Sequence, residues 1–135
     1  MNNEILKPYK KIISNALYPK MYNDISLSTG RNAISAYKKS TGDNDGIIEL
    51  MVFYVERGNQ FTVDFGDINE QFYNSLISMF RKIVSILQKS SQFIVDLYLP
   101  RLRAIVKSAE GIGWGYYGEI SECIEEAFPH TNSLV

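Results

Sequence analysis

Apolar residues recur along this chain at three- and four-residue intervals in five or six stretches separated by Gly, Pro and short polar runs. That period predicts amphipathic helices. The first covers about 8–17, where Tyr9, Ile12, Ile13, Ala16 and Leu17 share a face. Pro8 suits the opening position of that helix, because an N–H there has no partner to lose. Pro19 closes it, and residues 19–29 read as a loop. A second helix is expected over about 30–40, capped by Ser28 or Thr29 and stopped by Gly42. The third, about 45–57, is apolar nearly all round from Ile47 to Val55, which predicts a central, buried place ending at Gly58. Phe61-Thr62-Val63-Asp64-Phe65 alternates like a strand but finds no partner strand, so an extended loop is expected there.

The fourth helix, about 68–88, has the cleanest stripe: Phe72, Leu76, Met79, Phe80, Ile83 and Leu87. Asp67 followed by Glu70 has the spacing of a capping box. The fifth, about 91–109, turns Phe93, Leu97, Leu102, Ile105 and Val106 inward, with a kink or break expected near Leu99 because Pro100 removes a backbone donor. The last runs about 116–128 with Tyr116, Ile120, Cys123, Ile124 and Ala127 on one face, and residues 130–135 read as a flexible tail. Helices with short connections and no sheet predict an all-α fold. Their unequal lengths favour an irregular antiparallel array of five to six helices over a four-helix bundle.

At 135 residues, 45% of them hydrophobic, the chain is expected to form one domain with a sizeable core. The lone Cys123 excludes an internal disulfide and any zinc site built on several cysteines. No basic start followed by a long apolar run marks a signal peptide, and no stretch approaches the ~20 apolar residues of a membrane span. A cytoplasmic protein is the expectation. The pI near 5.8 argues against non-specific nucleic-acid binding. Residues 1–39 nevertheless carry seven Lys or Arg against two acids, and residues 40–135 carry seven against thirteen.

Candidate chemistry is sparse. His130 is the single histidine and lies beyond Pro129, so no histidine triad or metal centre is expected. Thr41-Gly42-Asp43-Asn44-Asp45-Gly46 starts like a calcium loop, but Thr41 and Val52 stand at positions where carboxylate ligands are needed. Gly113-Trp114-Gly115-Tyr116-Tyr117-Gly118 has the spacing of a dinucleotide motif, yet a helix precedes it where a strand is required. The plain reading is a tight helix connection whose glycines take positive φ, with Trp114 packed over the turn. The sharper one is a site. Gly113, Trp114, Gly115, Tyr116 and Tyr117 would form an aromatic corner, with Arg101, Arg103 and Lys107 on the preceding helix beside it. Such a corner would bind another protein, or an anion or small molecule at the start of the last helix. No cofactor is expected.

Four segments resemble a family of bacterial proteins that carry a domain of unknown function. They are Ile34–Lys39 with Thr41-Gly42-Asp43, Phe53-Tyr54-Val55-Glu56 with Gly58, Gly66-Asp67-Ile68 with Phe72–Leu76, and Gly111–Tyr116. The resemblance spans about 30–128 and implies a helical fold, with no activity attached. Many members of that family carry His where this chain has Tyr117, so the resemblance implies no catalytic role at that position.

Overall fold

Proline and glycine end these helices less often than their positions predict. In a computed structural model, which describes residues 3–66 and 69–130, six helices account for the secondary structure apart from one 3-10 turn at Tyr22–Asp24, and no strand occurs among the described residues. They are α1 (Asn3–Leu17), α2 (Leu27–Thr41), α3 (Asn44–Phe65), α4 (Glu70–Gln88), α5 (Gln92–Ala109) and α6 (Trp114–Ala127). The fold is all-α, as the periodicity predicts. α3 packs against α1, α2, α4 and α5, and α6 closes the array against α4 and α5.

Several boundaries differ from expectation, each for a local reason. α1 starts by Asn3, so Pro8 lies within it. The N–H that Pro8 lacks falls in the first turns of the helix, on a stretch where Glu4, Ile5 and Lys7 are exposed. α2 begins at Leu27, because Ser26 is the N-cap and accepts the Thr29 N–H. It ends at Gly42, whose φ of 62° is left-handed, as the sequence predicts. The capping residue of α4 is Asn69, whose side chain accepts from the Phe72 N–H at 2.9 Å. Asp67, expected in that role, and residues 131–135 of the expected tail lie outside the described residues.

The largest difference is α3. It passes through Gly58 and takes in Phe61–Phe65, the stretch expected to be extended. Gly58 is a contact, not a stop: a Cβ there would collide with Leu76 Cδ2 of α4. Glycine at this point lets the two helices approach. Gly58→Ala is therefore expected to destabilise by about 1–3 kcal/mol through overpacking, although alanine is the better helix former. Urea unfolding checks this, and a neutral result would show that Leu76 can swing aside.

α5 is continuous across Pro100, with no break near Leu99. Pro100 and Asp96, to whose carbonyl Pro100 cannot donate, are both exposed. The core face of α5 is Val95, Tyr98, Leu102, Ile105 and Ala109. Phe93 and Leu97, expected inside, are 71% and 47% exposed. With Pro100 and Ala104 they form a second apolar stripe, and periodicity alone does not choose between the two. The choice is made by charge. Tyr98 and Arg101 both reach Glu49 of α3, which fixes the rotation of α5.

Candidate functional site

The residues singled out in the sequence fall into three separate places. Trp114 opens α6 and is 84% exposed, so it is not packed over the turn. Its ring lies back along the next turn, where a Cβ on Gly118 would sit 3.9 Å from Cε2. Gly113 is the N-cap without a side-chain bond, and its φ of 166° is ordinary extended backbone. None of the glycines in 111–118 takes a positive φ; among the described residues only Gly42 and Gly66 do.

Tyr116 points inward. It is 4% exposed, and its hydroxyl donates to Asn59 Oδ1 at 3.1 Å. Asn59, itself buried, donates to Ser108 Oγ at 3.1 Å, so one amide ties α3 to α5 and α6. Burial pushes the Tyr116 hydroxyl pKa well up. The ring stacks against Tyr73 of α4 with centroids 5.2 Å apart. These two rings, with Ile77, form the apolar part of a groove of about 660 Å3 between α4 and α6. Gly115 opens one end, and Arg81, Lys82 and Glu119 line the rim. Arg81 and Glu119 pair across it. Tyr117 is half-buried, and Lys107 is exposed near the end of α5.

Arg103 serves the other end of α6. It donates to the Phe128 carbonyl at 2.7 Å and contacts Glu125 and His130, placing positive charge where the helix dipole is negative. His130 thus belongs to a cap, with Glu125 held below the usual carboxylate range by its bond to His130.

Arg101 faces α3. It bonds Glu49 through Nη1 (2.7 Å) and Nη2 (3.0 Å), and Glu56 through Nε (3.0 Å) and Nη2 (2.6 Å). Lys10 of α1 adds a second cation 3.0 Å from Glu49, and the Tyr98 hydroxyl donates to the same carboxylate at 3.2 Å. Burial raises the Glu49 pKa, but the hydrogen bonds from Arg101 and Lys10 outweigh it and hold the carboxyl below its ordinary value. This cluster clamps α1, α3 and α5 together. Its sequence signal is Glu49 itself, one acid inside the run Ile47-Ile48-Glu49-Leu50-Met51-Val52 on a helix that is otherwise core. A buried carboxylate requires a cation partner.

The fold therefore does not assemble Arg101, Arg103 and the Gly-aromatic corner into one pocket. What it leaves accessible at the corner is Trp114, Gly113, Gly115 and the groove along α4 and α6. The Thr41–Gly46 loop joins α2 to α3: Gly42 is the C-cap of α2, Asp43 stands at the N-cap of α3 but makes no side-chain cap bond and instead accepts from the Tyr37 hydroxyl at 2.6 Å, and among the described residues no cluster of His, Cys, Asp or Glu could hold a metal ion. Burial pushes the Cys123 thiol up, away from thiolate chemistry. No helix among the described residues is long and apolar enough to cross a membrane. No family model, curated protein or solved structure matches the chain. The resemblance to a bacterial family accordingly rests on its own four segments.

Proposed function

We propose that this chain is a small helical scaffold or adaptor of the cytoplasm that binds another protein, with Trp114 as the anchor of the contact. The observation that carries the reading is the exposure of that indole. Tryptophan is seldom left in water to this degree, and it dominates binding energy where it meets a partner pocket. It stands on the first turn of a helix fixed at its other end by Arg103, so the backbone that carries it is held in place while the ring stays exposed. Gly113 and Gly115 leave its surroundings open to a partner. The adjoining groove, with the Tyr73 and Tyr116 rings and the charged rim of Arg81 and Lys82, supplies the mixed aromatic and polar lining that protein contacts use.

The test separates binding from folding. Trp114→Ala should leave stability within about 0.5 kcal/mol, because little is packed against the ring. The same substitution should weaken a partner recovered from host lysate by about 2 kcal/mol or more, measured by calorimetry with the purified pair. Partner binding that survives Trp114→Ala unchanged would overturn the assignment. Recovery of a small anion and no protein would favour a ligand site at the start of α6.

A further inference from the structure

A second groove, of about 310 Å3, runs between α3 and α5 and is lined by Phe53, Glu56, Arg57, Gln60, Arg101 and Ser108 among others. Its charges are mostly settled. Arg101 and Lys10 together neutralise Glu49 and Glu56. Asp64, the acid nearest the C-terminal end of α3, takes the Tyr18 hydroxyl at 2.5 Å and the Gln60 amide at 2.8 Å.

Arg57 is the exception. Its guanidinium carbon lies 4.6 Å from the centre of the Tyr18 ring, and its Nε is buried with no hydrogen-bond partner among the described residues. An arginine has five donors in a planar fork, and an enclosed, unsatisfied N–H carries a penalty that natural proteins seldom leave without a use. The Tyr18 ring lies against the guanidinium, and burial closes the Nε side. What remains for a ligand is the outer edge formed by the two terminal nitrogens, whose geometry matches the two oxygens of a carboxylate. Ser108 lines the same groove. Its oxygen accepts from Asn59, so its own proton is still available to donate.

We infer that the groove between α3 and α5 binds a carboxylate, with Arg57 as its anchor and Ser108 as a second donor. The carboxylate belongs either to a small free acid or to an acidic side chain of a bound protein, and the two sources differ in what they need beyond the anchor. This site is separate from the Trp114 corner and does not depend on it.

The experiment titrates the full chain with succinate and with a hexaglutamate peptide, followed by amide NMR shifts and calorimetry. Shifts centred on Gln60, Ser108 and the Arg57 side chain are expected with at least one probe. Arg57→Gln should weaken that binding about tenfold or more, and Arg57→Lys, which keeps the charge but loses the fork, should fall between. Response to succinate assigns a free acid. Response to the peptide alone assigns an acidic segment of a partner. No response to either, or equal binding by wild type and Arg57→Gln, would overturn the proposal. Melting of Arg57→Gln decides whether the residue is merely structural: an unchanged or higher midpoint agrees with a binding role, whereas a fall of many degrees would reassign Arg57 to holding Tyr18 in place and sink the inference.

Discussion

Replacing Phe80 by alanine is expected to lower the unfolding free energy by about 3–5 kcal/mol. Phe80 is wholly buried on α4, the helix that touches α3, α5 and α6. Its neighbours on the same face, Leu76, Ile83 and Leu87, are also fully or almost fully enclosed. The ring therefore has no route to solvent and no flexible surface residue stands ready to fill its space. The loss combines the transfer of the aromatic side chain with the cavity left behind. Urea unfolding measures it directly, and a change below about 1 kcal/mol would show that the core around α4 can collapse.

Arg101→Met should cost about 2–3 kcal/mol at neutral pH, somewhat below the ~3–5 kcal/mol of a fully enclosed pair, because a third of the Arg101 side chain meets water. The substitution keeps the aliphatic packing and removes the fork that holds Glu49 and Glu56. Glu49, 11% exposed as a side chain, would keep only Lys10 and Tyr98. The pH dependence follows from the depressed Glu49 pKa. Its contribution is fully present above the unfolded carboxyl value, about 4.3, and is lost as pH falls through the lower folded value. The gap between wild type and Arg101→Met should thus be widest near neutrality and narrow below about pH 4. Urea midpoints at neutral and acid pH test this. A gap that grows on acidification would mean that Glu49 is not the carboxylate at stake.

What the sequence discloses follows from how much of each pattern is local. α4 is legible because its apolar residues occupy one stripe and its opposite face is polar. The C-terminal half of α3 is not, since Gly58 reads as a stop until Leu76 is seen against it, and Phe61–Phe65 alternates because Val63 and Phe65 are apolar residues left at the surface of the helix while Phe61 is buried. α5 carries two apolar stripes. Only the pairing of Tyr98 and Arg101 with Glu49, some fifty positions away, shows which one turns inward. The candidate corner is legible in part. Trp114 and its glycines stand together at the surface as the motif implies. Arg101 and Arg103 flank it in sequence but turn to α3 and to the far end of α6, because a step of two residues rotates a side chain most of the way across a helix.

The isolation of Trp114 has an optical consequence. It is the single tryptophan of the chain, and its indole is hydrated in the folded state. Unfolding moves it from water to water, so its emission should scarcely change colour across a denaturation curve that circular dichroism follows in full. A partner that covers the ring would shift the emission to the blue and shield it from iodide. The protein thus carries a built-in reporter that is silent to folding and sensitive to occupancy.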